Sequence, residues 1–439
     1  MANFFKPSKP TVQRYFDLSI TGLDGRCIGI GKTDNRTWFV PGTMPGDRIK
    51  AERTEVSKNT GFAKVQKFYE KSPERLSPAC NHGKCGGCSC MFIPADLQIQ
   101  AKKKGIQQIF HKNAGFDLPE PDHIVEGSKL NYRRTCRLST YYNRNSKCLE
   151  IGFRQAGSHR IEEISCCPVL KNSLSKIIDI LRRTLNQLSI REFIGHVELT
   201  EAENGIYITI QHNRDFSPED MDLMQNQLCD NSIFLCLLDK SHKLRMLNKN
   251  FQPPFYTIQD IKLQFSPESF IQINSDVNEK IVSAVLEYAR IQPEDQILDL
   301  FCGMGNLTLP LARKARKVTG VEVVAEMVDQ AQNNARANNI ENAVFVRQDL
   351  SEDFFLQEFA REKYDCVVLD PGREGAGNAV NYICTNKIRH LVYVSCNPIT
   401  VTRDMAILNK AGYVIKSWSL FNMFPNTEHI EAVFDISLS

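Results

Sequence analysis

Two short segments near the C-terminal end carry the residue types for nucleophilic and base chemistry. The strand-like run Leu391-Val-Tyr-Val-Ser395 leads into Cys396-Asn-Pro398. A thiol therefore ends a strand, on the rim where open α/β sheets gather ligands. Most cysteines of reduced proteins are small buried apolar residues, so the neighbours decide what this one does. Thr427-Glu428-His429-Ile430-Glu431 reads as another strand, whose alternation puts His429 and Glu431 on one face. A thiolate adds to electron-poor ring carbons, and a carboxylate can remove a proton from the adjacent carbon.

A third segment suggests what is transferred. The strand Ile297-Leu-Asp299-Leu-Phe301 runs into Cys302-Gly303-Met-Gly305-Asn306 and then a helix. The glycines let the backbone turn tightly and approach a ligand at the strand's carboxyl end. A dinucleotide fingerprint would place a third glycine where Thr308 stands, which disfavours NAD. Glu322 ends the next strand, suited to accept from ribose hydroxyls, and Asp349 and Asp370 end the two after it. Three acids on one rim, without a phosphate-binding lysine, suit S-adenosylmethionine; the alternative is acids that only cap helices or turns. Thiol, methyl donor and carboxylate together point to methylation of a pyrimidine carbon. C5 of uracil is a poor nucleophile until a thiolate adds at C6, after which a base must strip the C5 proton. That chemistry makes Cys396 the nucleophile and Glu431 the base. Methylation of an adenine amine would call for an aromatic after the fourth strand, where Asp370-Pro-Gly-Arg-Glu stands instead.

A separate cluster, Cys80, Cys85 and Cys88, is spaced C-x4-C-x2-C, with Cys166-Cys167-Pro168 far downstream. Close thiols plus a remote one can hold zinc or an iron–sulfur cluster, and spacing alone leaves both open. A thiol-rich loop without metal is the third possibility.

The elements that must position these groups follow from patterning. The 439 residues suggest roughly two or three domains. Residues 12–68 alternate in short strands punctuated by glycines and Pro41-Gly-Thr-Met-Pro-Gly46, as in a small closed β-barrel. Residues 94–115 read as helix, and 126–265 as a β-rich region with an amphipathic helix near Leu174–Leu188. From about 277 helix and strand alternate: helix 276–290, strand 296–300, helix 306–316, strand 317–321, helix 325–338, strand 343–347, then strands 366–369 and 390–394. That alternation predicts a doubly wound parallel sheet. Apolar residues at 42% and charged residues at 24% exclude wholesale disorder. No run of 18 uncharged apolar residues occurs and Met1-Ala-Asn-Phe-Phe-Lys lacks a signal pattern, so a cytoplasmic protein without a membrane span is expected. In that setting the 15 cysteines are thiols or ligands, not a disulfide framework. Residues 1–70 carry 12 Lys/Arg against 7 Asp/Glu and residues 101–160 carry 12 against 5, a basic front suited to a polyanion. Arg133, Arg134 and Arg137, beside Tyr141 and Tyr142, are candidates for holding phosphates and stacking bases, or form a merely solvated strand face.

Asp299-Leu-Phe-Cys-Gly-Met-Gly-Asn-Leu-Thr-Leu-Pro310, Asp370-Pro-Gly-Arg, Val394-Ser-Cys-Asn-Pro and His429-Ile-Glu431 together resemble the bacterial RNA uracil-C5 methyltransferase family. The Val40-Pro-Gly…Pro-Gly-Asp47 turns resemble those of a TRAM domain, an RNA-binding barrel of the oligonucleotide-binding type. With the thiol cluster, the likeness is to the branch acting on 23S ribosomal RNA. The resemblance implies a TRAM barrel over 10–68, a central α+β domain over 69–93 and 126–265, and a Rossmann-like methyltransferase domain over 94–125 and 266–439. It implies donor contacts from Gln272, Phe301, Asn306, Glu322, Asp349 and Asp370, Cys396 as nucleophile and Glu431 as proton acceptor, with Phe270 near the flipped base. It also implies a 4Fe–4S cluster on Cys80, Cys85, Cys88 and Cys167. The family pattern has five residues between the first two ligands and this chain has four, and Cys90 and Cys166 are alternative ligands. A monomer is expected. The competing readings are a transfer-RNA uracil-C5 or an RNA cytosine-C5 methyltransferase, and a non-catalytic RNA-binding assembly factor.

Overall fold

The computed structural model describes residues 14–439. Residues 10–13 of the expected barrel and the Met1–Lys6 stretch lie outside the described residues. The chain divides into two compact units: Met1–Pro78 with Cys88–Ile106 and Asn426–Glu428, and Ala79–Gly87 with Gln107–Pro425 and His429–Ser439.

The first unit contains a closed five-stranded barrel. Tyr15–Leu23, Gly29–Thr33, Arg36–Val40, Thr60–Glu70 and Arg48–Val56 follow one another around it. Asp34 and Asn35, both at positive φ, make the two-residue turn between the second and third strands. Alternate residues Leu18, Ile20, Trp38, Val40, Ile49 and Ala51 fill the interior. Gly61 is required by close approach, because a Cβ there would stand 2.5 Å from the Trp38 ring. A second small core of the same unit gathers Cys27, Met44, Cys90, Ile93 and Ala101.

The second unit holds two large sheets. The seven-stranded one runs Leu244–Met246, Ile233–Leu238, Gly205–His212, Ile194–Ala202, Thr135–Asn143, Cys148–Arg154 and Ile161–Glu163. Helix Asn172–Gln187 buries Leu174, Ile177, Ile178, Leu181 and Leu185 on one stripe, as its 3.6-residue period dictates.

The eight-stranded sheet runs Ala343–Arg347, Lys317–Glu322, Gln296–Leu300, Cys366–Leu369, His390–Ser395, Glu431–Leu438, Tyr413–Phe421 and His123–Val125. Its first five strands are parallel, and Glu431–Leu438 is antiparallel to His390–Ser395. Chain order reverses between Gln296–Leu300 and Cys366–Leu369. A crevice opens at the carboxyl ends of strands at such a switch point.

Two elements differ from the sequence reading. The helix expected over 306–316 is confined to Thr308–Ala312. The positive-φ turns at Gly303 and Gly305 consume the preceding residues, and the chain must reach Lys317 within four residues of the helix end. The expected strand at Thr427 begins only at Glu431, because Pro425 and the positive-φ Asn426 turn the chain first. His429 therefore lies in the approach to the strand rather than on its face.

Candidate active site

The loop after strand Gln296–Leu300 is locked to its neighbour. Phe301 sits at φ +68°, where a bulky residue is strained by about 1–3 kcal/mol. The twist lets both Phe301 N–H and Cys302 N–H donate to the Val321 carbonyl, at 2.9 and 3.0 Å. Gly303 N–H then donates to Glu322 Oε2 at 3.1 Å, while Val323 and Val324 N–H donate to Oε1 at 2.9 and 3.0 Å. Three of the carboxylate's roughly four acceptor directions are thus taken, and one stays open for a hydroxyl. A Cβ on Gly303 would meet open space, so the backbone there borders a void. Beneath the loop, Asp299 is fully buried, accepts from Thr308 Oγ1 at 2.5 Å, and is pushed up to about 7 by burial.

The void is a cavity of about 490 Å3. Gln272, Phe301, Asn306, Glu322 and Asp370 line it, and so do Cys396 and Glu431. Asp349 is not among the lining residues; its Oδ1 accepts from Ser351 N–H at 2.8 Å and the Ser351 hydroxyl at 2.6 Å. Phe270, 68% exposed, stands at the cavity's edge.

Cys396 lies between the end of strand His390–Ser395 and the helix Pro398–Lys410, whose cap is Asn397 accepting from Ile399 N–H at 3.1 Å. The thiol is pushed up to about 11, first by burial and then by the Glu431 and Asp370 carboxylates, with Arg373 opposing. Burial, then Asp370, lifts Glu431 well above the usual carboxylate range, again against Arg373. Burial alone raises Asp370 to about 7. Three acidic groups thus share one cavity, where Asp370 makes both Glu431 and Cys396 harder to ionise and Glu431 acts likewise on Cys396, and a cation arriving there favours the charged form of all three. Arg373 is held for this work: its carbonyl accepts from Asn397 Nδ2 at 3.0 Å, and the loop's Ala376 N–H donates to buried Asp404 at 2.7 Å.

Several lining groups escaped sequence reasoning. The Tyr256 hydroxyl donates to Asn306 Oδ1 at 3.0 Å, and Asn306 and Asn278 exchange amide hydrogen bonds at 3.0 and 3.1 Å. Tyr256 comes from the hairpin Phe255–Ile258 and Ile261–Gln264, which carries no motif. Phe424 meets His429 edge-on, with ring centroids 5.5 Å apart. Of the arginine run, Arg134 is buried and so is no phosphate-gripping surface group. Arg137 pairs with Glu198 at 2.8 Å, and Tyr141 is 60% exposed.

Among the cysteines, Cys80 and Cys85 are half-buried and Cys167 is buried, all three in one unit. After burial, Cys80 and Cys85 both raise the Cys167 thiol, and Cys80 raises Cys85. Among the described residues, no three His, Cys, Asp or Glu side chains are arranged to hold a single metal ion. Cys90 is fully buried in the first unit, where it hydrogen-bonds with Cys27. No described helix is long and apolar enough to cross a membrane.

Comparison with known proteins agrees with this geometry. Residues 95–436 match the family model for tRNA (uracil-5-)-methyltransferase, and residues 9–66 match that for the TRAM domain. The 23S rRNA (uracil(1939)-C(5))-methyltransferase RlmD of Tolumonas auensis is 38% identical over 438 residues, 99% of each chain. That of Aeromonas salmonicida is 37% identical over 435 residues, again 99% of each. The tRNA (uracil-54, C5)-methyltransferase of Pyrococcus abyssi, solved with S-adenosyl-L-homocysteine, shares the fold with a TM-score of 0.74 at 24% identity, covering 96% of this chain and all of that one. The chain belongs to the tRNA (uracil-5-)-methyltransferase family and carries a TRAM domain at its front.

Proposed function

We propose that the protein methylates C5 of a specific uracil in 23S ribosomal RNA, acting as a monomer in the cytoplasm. The observation that carries this reading is one cavity lined at once by the glycine-turn loop, the Cys396 thiol and the Glu431 carboxyl. The names and full-length coverage of its relatives support the choice of ribosomal RNA.

S-adenosylmethionine, when bound, supplies a methyl group on a cationic sulfonium. The cavity fits it: Glu322 keeps an open acceptor direction, Gly303 leaves room, and Asp370 is a carboxylate that a cation would ionise. Gln272, Phe301, Asn306, Glu322 and Asp370 are its contacts in this reading, while the Asp349 carboxylate holds the turn at Ser351. Cys396, once ionised, bonds to C6 of the uracil, and the displaced ring electrons make C5 an enolate carbon that takes the methyl. Glu431 then removes the C5 proton, and the returning electron pair expels the Cys396 thiolate from C6. A base raised out of the usual carboxylate range is matched to this task, since its conjugate acid is not too strong to form near neutral pH. The target base must leave its stack for C6 to be reached.

The same reading places a 4Fe–4S cluster on Cys80, Cys85, Cys88 and Cys167. Each thiolate would bind a different iron, so the ligands need not surround one point; the influence of Cys80 and Cys85 on the Cys167 thiol supports the assignment. No redox step is required, and the cluster anchors the 80–88 loop. The domain division in this reading is 10–68 for the RNA-binding barrel, 69–93 with 126–265 for the central domain, and 94–125 with 266–439 for the catalytic one.

The test is methyl transfer from isotopically labelled donor onto total RNA, with the modified nucleotide mapped. Label at one uracil of 23S rRNA, absent with C396A, is expected; label only in transfer RNA or at cytosine would replace this substrate with those alternatives.

A further inference from the structure

Arg134 is one of three arginines that the sequence offers as a phosphate grip, yet its side chain is turned inward and only 5% of the residue is exposed. Its Nε donates to the Gln272 carbonyl at 2.8 Å. Its guanidinium lies over the Tyr256 ring, 4.4 Å from the centroid. Its backbone N–H donates to the Ile273 carbonyl at 2.9 Å, and its own carbonyl accepts from Glu201 N–H at 2.8 Å. One residue just before the interior strand Thr135–Asn143 is therefore stitched to the Gln272–Ile273 segment by backbone and side chain together.

The contacts continue to the cavity wall. Tyr256, pinned under the guanidinium, donates to Asn306 Oδ1 at 3.0 Å, and Asn306 is fixed from the other side by the paired amides of Asn278. Gln272, Tyr256 and Asn306 all line the cavity. Arg134 does not.

We propose that Arg134 is a positioning residue for methyl-donor binding: by holding the Gln272 carbonyl and the Tyr256 ring it fixes the wall that Gln272, Tyr256 and Asn306 present to the donor. The proposal rests on the reading of this cavity as the donor site. A role in stability alone is poorly served by this side chain. Its Nη2 is buried and finds no hydrogen-bond partner among the described residues, and an orphaned charged donor is costly where an apolar side chain of similar volume would not be. Only arginine supplies both the planar face for the ring and the in-plane Nε donor for the carbonyl.

The experiment uses the full-length protein and the variants R134M, R134K and Y256F. It measures S-adenosyl-L-homocysteine binding by calorimetry, KM for the donor, KM for RNA and kcat, with thermal melting as a control. Losing a charged hydrogen bond and the ring contact predicts about a 10–50-fold weaker Kd and higher donor KM in R134M. R134K, which keeps the charge without the fork, is expected to recover part of that loss. Y256F breaks the same chain one link further on and is expected to weaken donor binding about 3–10-fold. The double variant R134M/Y256F should lose little more than R134M alone, since both act on one wall. RNA KM, and kcat at saturating donor, should stay within about threefold of the unaltered protein. Unchanged donor binding in R134M and Y256F overturns the proposal, as does a rise confined to RNA KM. Should R134M fail to fold, R134K and Y256F decide. Failure of the unaltered protein to bind S-adenosyl-L-homocysteine would instead sink the reading of the cavity itself.

Discussion

A cation entering the cavity should make Cys396 more reactive before any RNA is present. The thiol stands at about 11, roughly two units above a free cysteine, or about 2.7 kcal/mol against the thiolate. At pH 8 about one thiol in a thousand is then ionised. Burial is the first cause, and the Glu431 and Asp370 carboxylates supply the rest. A positive charge on the bound donor offsets the carboxylates but not the burial. The expected fall is therefore about one unit, or about tenfold more thiolate at a given pH. The assay is the rate of Cys396 alkylation by iodoacetamide from pH 7 to about 12, read by peptide mass spectrometry. It compares the free protein, the neutral S-adenosyl-L-homocysteine complex, and a complex with an unreactive donor analogue bearing an ammonium in place of the sulfonium. Both ligands obstruct the reagent alike, so their difference isolates charge. The cationic complex should react about tenfold faster than the neutral one, with its midpoint about one unit lower. Equal rates in the two complexes, or a midpoint near 9 in the free protein, would refute the electrostatic reasoning.

Three further outcomes are expected. E431Q should lower turnover by at least about a hundredfold while RNA–protein adduct accumulates after methylation, because the C5 proton has no acceptor; undiminished turnover would remove Glu431 from that role. Protein purified without oxygen should carry about four irons per chain, lost in C80A and C167A but kept in C90S, since the Cys90 thiol is fully buried and hydrogen-bonded to Cys27. Iron content unaffected by C80A and C167A would remove those ligands. G152A should destabilise the seven-stranded sheet by about 1–3 kcal/mol, because its Cβ would stand 1.9 Å from the Glu162 carbonyl oxygen; an unshifted urea midpoint would mean that the edge strand gives way freely.

The parallel sheet was legible because its strands are short apolar runs ending in Gly303, Glu322, Asp370 and Cys396, each at the carboxyl rim. The barrel was legible from its alternation and turn residues. What the sequence hid is whatever depends on contacts between distant segments. Arg134 looks like Arg133 and Arg137 because a basic run does not say which member turns inward. Tyr256 and Asn278 belong to a hairpin and a helix without motifs, and only the tertiary fold brings them to Asn306. His429 reaches the cavity from a turn, not from the strand that its spacing to Glu431 suggests. Asp349 ends a strand on the same rim as Glu322 yet turns to Ser351, a choice no spacing rule could make.

The central claim is that the Cys396 sulfur bonds to the pyrimidine ring and that a proton must then leave the neighbouring carbon. Fluorine at that carbon cannot leave as a proton. Incubating the protein and its methyl donor with 23S rRNA in which uridine is replaced by 5-fluorouridine should therefore yield a methylated covalent complex that survives denaturation. Digestion should locate the nucleotide on Cys396. Absence of that complex in a mixture that methylates ordinary rRNA, or its attachment to another residue, would contradict the account.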